Sequence, residues 1–251
     1  MIYKKSPEEL VIMRKAGVMV SDTLLRLQEA LRPGVTTRHL DAIAESAIVS
    51  SGGKPSFKGY RGFPGTICSS PNNVIVHGIP SDHVLQEGDV VSLDVGAFYQ
   101  GLHADSAWTF PVGAISDDAE RLLEAGERSL DAAIEQCYPG RRLGDVGHAV
   151  EQVAIQAGFS VVREYVGHGV GRALHEDPQI PNYGPPGRRE ILGAGMTLAI
   201  EPMINAGGAA TKALDDGWTV VTADGGLSAH FEHTVAITEE GHEVLTSRDS
   251  S

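Results

Sequence analysis

The chain of 251 residues has only two cysteines, Cys68 and Cys137, and neither sits in a CxxC spacing. Two solitary thiols make neither a disulfide framework nor a four-thiolate zinc site, and they fit a reducing compartment. No run approaches the ~20 uninterrupted apolar residues of a membrane-crossing helix. The opening Ile2-Tyr3-Lys4-Lys5-Ser6-Pro7-Glu8-Glu9 carries early acids and a proline where a secretory signal needs an apolar stretch, so a cytoplasmic protein is expected. Basic residues are also few: 20 Lys plus Arg stand against 33 Asp plus Glu, a formal net charge of -13. That balance argues against extended binding to nucleic-acid phosphates, and no direct nucleic-acid specificity is expected. What remains is an ordinary globular composition, 41% hydrophobic and 21% charged, well away from disordered chains. Thirty glycines and 13 prolines imply many tight turns and argue against an all-helical bundle.

Ser6-Pro7-Glu8-Glu9 reads as a helix start, with Ser6 as N-cap, Pro7 at the first helical position and Glu9 placed to close a capping box. Leu10, Met13, Gly17, Val20, Leu24, Leu27 and Leu31 recur at steps of three and four, a core-facing stripe that Pro33-Gly34 stops. A second helix is predicted over 37–51, with Leu40, Ala44, Ala47 and Ile48 inward, and strands over 66–69, 73–79, 89–98 and 102–112. The order then recurs, with helices over 116–138 and 143–157 and a strand over 159–166. At an offset of 106 residues Pro33-Gly34 falls on Pro139-Gly140, Glu45 on Glu151 and Gly52 on Gly158, with apolar residues matched at 40/146, 44/150 and 48/154. We read a single α+β unit, residues 1–251, with an internal helix–helix–strands repeat, roughly 6–112 and 116–246. The seam between the halves is a natural place for a site.

An aspartate interrupts the apolar strand Val90-Val91-Ser92-Leu93-Asp94-Val95-Gly96, where burying an unpaired carboxylate is costly. A hairpin centred near Gln100 brings Asp105, on the next strand, roughly opposite Asp94. Two adjacent carboxylates repel unless one is protonated or a cation sits between them. Gly167-His168-Gly169-Val170-Gly171-Arg172 frames a histidine with glycines but completes no GxGxxG or Walker pattern, which leaves a metal ligand or a tight backbone turn. His175-Glu176-Asp177-Pro178 puts a second histidine in a proline-bounded loop, by itself an ordinary solvated position. Glu201 stands at the centre of an apolar strand over 196–204, and Pro202 places it at an edge or bulge. Glu232 repeats the anomaly on a late strand, His230-Phe231-Glu232-His233-Thr234-Val235-Ala236-Ile237. One such acid can be a paired core charge, whereas four acids with a glycine-framed histidine are hard to explain as structure. Asp94, Asp105, His168, Glu201 and Glu232 together neutralise two divalent cations and favour Mn, Fe(II), Co or Zn. Two ions ~3.5–4 Å apart with a water between them make metal-assisted hydrolysis the chemical reading.

At these residues the sequence resembles the methionine aminopeptidases. The strings above are joined by Val76-His77-Gly78-Ile79-Pro80, Phe159-Ser160-Val161-Val162-Arg163-Glu164-Tyr165 and Asp216-Gly217-Trp218-Thr219-Val220, and the likeness runs from the first helix to Glu243-Val244-Leu245-Thr246. It implies the pita-bread fold with two pseudo-symmetric halves, and the short length is similar to the bacterial type I form. The resemblance makes Asp94, Asp105, His168, Glu201 and Glu232 the metal ligands, with Asp105 and Glu232 bridging. It makes Glu201 also the proton shuttle between attacking water and leaving amine, places His77 near the scissile amide, and gives His175 an oxyanion-stabilising role. Phe57, Tyr60, Phe63, Cys68 and Trp218 match the pocket for the methionine side chain, a flexible thioether suited to aromatic walls. Val76, Leu174 and Arg61 depart from the commonest family pattern and bear on pocket size and peptide entry. The activity so implied is removal of the initiator methionine from nascent chains with a small second residue. The resemblance further implies that a metal-held hydroxide would attack the first peptide carbonyl, and that the chain would act as a monomer in transient association with the ribosome. An Xaa-Pro peptidase shares the fold and metal set but usually carries a separate N-terminal domain. A non-catalytic binding module of this fold would lack the ligands.

Overall fold

In a computed structural model, which describes residues 1–248, the capping box at Ser6 forms: Glu9 N–H donates to Ser6 Oγ at 3.3 Å and Ser6 N–H donates to the Glu9 carboxylate at 2.9 Å. The last three residues of the 1–251 unit lie outside the described residues. Helices α1 (Pro7–Ala30) and α2 (Thr37–Ser50) are followed by strands β1 (Lys54–Pro55), β2 (Ile67–Pro71), β3 (Val74–Val76), β4 (Val90–Tyr99) and β5 (Leu102–Pro111). Helices α3 (Asp117–Ile134) and α4 (Leu143–Ala157) then open a second series. It continues through β6 (Ser160–Val161), β7 (Gly167–Gly169), β8 (Glu176–Ile180), β9 (Thr197–Ile200), β10 (Met203–Asn205), β11 (Thr211–Ala213), β12 (Val220–Thr222), β13 (Ser228–His230), β14 (His233–Ile237) and β15 (His242–Val244).

The sheets are antiparallel throughout the named strands. In the first half β4 pairs with β1, β2 and β5; in the second the order is β15-β14-β9-β7-β8. Two three-stranded sheets, β13-β10-β6 and β11-β12-β3, lie beside them, and the latter joins strands from both series. Two apolar cores follow this division. One packs Leu24, Leu40, Ile48, Ile67 and Leu93 under α1 and α2; the other packs Leu122, Leu130, Val146, Leu198, Phe231 and Val235 under α3 and α4. Trp108 lies against both. The residues matched at the 106 offset, Leu40 with Val146, Ala44 with Val150 and Ile48 with Ala154, are all buried.

Where structure and sequence pattern differ, the backbone supplies the reason. The helix expected to reach 138 ends at Ile134, because its last turn tightens: Gln136 N–H donates to Ala133 O at 3.0 Å and Cys137 N–H to Ile134 O at 2.9 Å, three residues back. The strand expected over 73–79 stops at Val76 because His77 turns into the left-handed region, φ +61. The strand over 159–166 shrinks to β6, and the apolar run over 196–204 is two strands of different sheets, broken at Glu201-Pro202. The run from His230 to Ile237 likewise breaks between β13 and β14. Both acids therefore stand at strand breaks and not at strand centres.

Candidate metal centre and pocket

The β4–β5 hairpin sets the first two acids. Tyr99 pairs with Leu102 across a two-residue turn, so Asp94 faces Ala107 and Asp105 faces Gly96. Asp94 and Asp105 are thus diagonal neighbours on one face, not directly opposed, a separation within reach of their side chains. Cys68 pairs with Asp94 from β2 and shares that face. Gly96 has to lack a side chain there, because a Cβ would lie 2.6 Å from Phe57 Cε1.

His168 stands in β7, a strand and not a tight turn, with a bulge between His168 and Gly169. Its flanking glycines let the neighbours close in. A Cβ on Gly167 would lie 2.4 Å from Ala199 O, and one on Gly169 2.2 Å from Asp177 O. Glu201 and Glu232 come from the two strand breaks, where the chain is free to aim a carboxylate off the sheet. Hydrogen bonds across the seam hold the two halves in register here. Asp105 N–H donates to Thr234 Oγ1 at 2.9 Å, Ser106 Oγ donates to Glu232 O at 2.5 Å, and Glu232 N–H donates to Ala107 O at 2.8 Å.

Donor atoms of Asp105, His168 and Glu232 lie within 4.8 Å of one another, and Glu201 Oε1 lies 3.5 Å from His168 Nε2. Asp105 is 4%, His168 8% and Glu232 2% exposed, too little for water to screen these two acids, while Asp94 and Glu201 are half-buried beside them. Burial, with Glu201 nearby, pushes the Asp94 carboxyl up to about 8. Burial and the neighbouring acids push Asp105, Glu201 and Glu232 well above the ordinary carboxylate range. Burial also pushes His168 down to about 4, so its ring is neutral at pH 7. His168 Nδ1 lies 2.9 Å from Gly169 O; a carbonyl only accepts, so Nδ1 carries the proton and Nε2 turns a lone pair toward Glu201. Asp94 Oδ1, Asp105 Oδ1 and Glu232 Oε1 are buried and without hydrogen-bond partners among the described residues. Lone pairs converging on lone pairs at low dielectric call for cations between them, and the donor set of hard oxygens and one imidazole suits divalent metals.

Above the acids is a cavity of about 290 Å³, the lower end of the size of ligand pockets and suited to one side chain. Phe57, Phe63, Cys68 and Leu174 form their own buried apolar cluster on its wall, with Tyr60 and Trp218 packed against it. Phe63 and Trp218 meet edge to face at 5.1 Å. His77 packs edge-on to Tyr165 at 5.9 Å and to Trp218 at 6.3 Å, and burial lowers its basicity. His175, exposed at the mouth, lies over His168 with ring centres 4.2 Å apart, and its Nδ1 is 3.0 Å from Tyr60 Oη. Partial burial, with His168 beside it, pushes its pKa below the imidazole range. All twelve residues singled out by sequence, five ligands, two histidines and five pocket residues, line this one cavity. Arg61, Val76 and Leu174 line it as well. Sequence reasoning passed over His230 and Met203. His230 is 2% exposed, its Nε2 is 3.5 Å from Glu201 Oε2, and burial pushes it down to about 3. Each stands two residues from an acid singled out by sequence, Glu232 or Glu201, but across or beside a strand break, so strand periodicity gave no signal for it.

Buried acids and an imidazole beneath a one-side-chain cavity, at the seam of two α+β halves, define a metal-dependent hydrolase. The family model of metallopeptidase family M24 matches residues 11–239, and the chain belongs to that family. It is 55% identical over 246 residues to methionine aminopeptidase 1 of Bacillus subtilis, covering 98% of this chain and 99% of that protein. The crystal structure of methionine aminopeptidase from Thermotoga maritima superposes with a TM-score of 0.97 at 47% identity, covering 98% of this chain and all of that one. The prolidase of Pyrococcus furiosus, at 24% identity and a TM-score of 0.81, shares the fold alone, and 98% of this chain covers only 66% of that one. The fold is the pita-bread fold.

Proposed function

We propose that this chain is a methionine aminopeptidase that removes an N-terminal methionine when the second residue is small. The observation that carries the reading is the cavity walled by Phe57, Tyr60, Phe63, Cys68 and Trp218, whose lining also takes in the four acids and His168. A side chain in the cavity leaves its own amino group and first carbonyl at the acids. Asp94, Asp105, His168, Glu201 and Glu232 would hold the divalent metal, two ions drawn from Mn, Fe(II), Co and Zn on the charge of the four acids. When bound, such ions polarise the scissile carbonyl and lower the pKa of water.

The chain's own groups then divide the work. Glu201, ionised when a cation neutralises its neighbours, would take the proton of the attacking water at a carboxylate oxygen and return it to the leaving amine. His175, neutral at pH 7, donates a ring N–H to the carbonyl oxygen as negative charge develops there. His77 packs beside the scissile amide against Trp218. Phe57, Tyr60, Phe63, Cys68 and Trp218 hold the thioether and exclude water from the reacting bond.

The reading carries with it a single catalytic unit over 1–251, with internal repeats roughly at 6–112 and 116–246, acting as a cytoplasmic monomer on nascent chains at the ribosome. No helix among the described residues is long and apolar enough to cross a membrane, and both cysteines are free, in keeping with that setting. The test is to strip the metals, restore Mn, Fe(II), Co or Zn one at a time, and follow release of the first residue from Met-Ala-led, Leu-Ala-led and Ala-Pro-led peptides. Metal-dependent cleavage of the Met-Ala peptide alone is expected. Cleavage of the Ala-Pro peptide alone moves the chain to the Xaa-Pro peptidases, and metal binding without any cleavage makes it a binding module.

A further inference from the structure

Lys5 and Glu176 form an ion pair of 2.5 Å whose side chains are 1% and 4% exposed, far from any surface where such a pair is neutral in effect. Nothing in the proposed chemistry uses either charge, yet Glu176 follows His175 directly in the chain. Both carboxylate oxygens are engaged, Oε2 by Lys5 Nζ and Oε1 by Ala173 N–H at 3.1 Å, so the carboxylate closes the loop that carries Leu174 and His175. Lys5 is itself pinned, its backbone N–H donating to Gly195 O at 2.7 Å and its Nζ to Tyr3 O at 3.3 Å. Space for it is left by Gly171, where a Cβ would lie 2.1 Å from Lys5 Cε. A second tie runs parallel: Arg172 donates to Glu9 Oε1 from Nε at 2.9 Å and from its terminal nitrogen at 2.7 Å. Glu9 is the acid of the α1 capping box, so the start of α1 grips the start of the loop.

We propose that the segment ahead of α1 is a strap, with Lys5 a positioning residue that acts through Glu176 to hold His175 over the metal centre. Among the described residues the His175 ring has Tyr60 Oη as its one hydrogen-bond partner and lies against the Tyr60 and His168 rings at an exposed mouth, so the backbone on either side of it has to deliver it there. With Lys5 neutralised, Glu176 is left a buried unpaired charge and leaves for solvent, drawing the loop with it. This inference rests on the role given to His175, and the test separates the two.

Turnover of a Met-Ala-led peptide is measured for the metal-loaded wild type, Lys5→Met, His175→Ala and the double variant, with amide hydrogen exchange of the peptide spanning 171–177. Lys5→Met is expected to lower kcat roughly 10- to 100-fold with KM within about twofold, the scale of an ångström-sized misplacement. Exchange should quicken in 171–177 and stay unchanged in β4 and β14. In the His175→Ala background Lys5→Met should add less than about twofold, since coupled residues are not additive. Glu176→Gln, which keeps the shape without the charge, should move the same quantities the same way and serves if Lys5→Met fails to fold. Wild-type kcat in the folded Lys5 and Glu176 variants, or an equal loss from Lys5→Met with and without His175, overturns the strap alone. Wild-type kcat in His175→Ala overturns the role of His175 and the strap with it.

Discussion

Removing and restoring the metals puts a number on the centre, because burial sets the charge state of its acids. Without metal, Asp94 sits at about 8 and Asp105, Glu201 and Glu232 well above their ordinary values, all four chiefly through burial. A carboxyl with a pKa of about 8 is roughly nine-tenths protonated at pH 7. His168, at about 4, is already the neutral imidazole and gives up no imidazolium proton at pH 7. Divalent ions are held by ionised carboxylates, so metal loading at pH 7 should release protons from these acids, roughly 0.9 of one from Asp94 alone. The same shifts act on stability. A carboxyl whose folded pKa lies above its unfolded value contributes stability below the unfolded value and loses it as pH rises toward the folded one, by ~1.4 kcal/mol per pH unit for each group. Histidines oppose this: His77, His103, His168, His175, His230 and His233 are all held below 6.5, so each adds stability as pH rises through that value, a gain that fades but is not finished at pH 7. That gain is common to both forms, so between pH 7 and 8 the metal-free protein should lose stability relative to the loaded protein. Calorimetric titration in two buffers of different ionisation enthalpy counts the protons, and urea unfolding at pH 7 and 8 with and without metal reads the slope. No proton release on loading, or a metal-free protein that loses no stability relative to the loaded one from pH 7 to 8, refutes the assignment of these acids.

Other predictions follow from single positions. Glu201→Gln should lower kcat by roughly 10²- to 10⁴-fold, the usual worth of a general acid–base group, while the other ligands retain bound metal by elemental analysis; near-normal turnover in the loaded variant removes Glu201 from the proton path. Gly96→Ala puts a methyl 2.6 Å from Phe57 Cε1 and 2.8 Å from Ser56 Cβ, so the pocket wall has to shift. Overpacking of ~1–3 kcal/mol, expressed in binding, raises KM for a Met-Ala-led peptide roughly tenfold, and an unchanged KM sinks the assignment of Phe57 to that wall. Gly126→Ala in α3 drives a methyl to 2.5 Å from the buried Phe231 ring. It should cost ~1–3 kcal/mol and a few degrees of Tm, so a wild-type Tm contradicts the packing described for the second core.

That the four acids come together was legible because a carboxylate in an apolar strand pattern has no cheap structural explanation, and four of them with one histidine leave cation binding as the shared one. The repeat was legible for a similar reason, since stop signals such as Gly52 and Gly158 punctuate both halves alike. Strand ends were not, because an apolar run over 196–204 records hydrophobicity and not the change of sheet at Glu201-Pro202. Phe57, Phe63 and Trp218 came from resemblance alone. They line a cavity from loops, where no period of 2 or 3.6 distinguishes a pocket wall from a core. Lys5 lies at the far end of this scale. In sequence it is one of two consecutive lysines near a chain start, the commonest of solvated residues, and its burial is decided by Glu176, 171 positions away. Chemistry is readable where a residue violates its own neighbourhood. Positioning depends on a distant partner, so the strap over His175 becomes visible only after the chain has closed on itself.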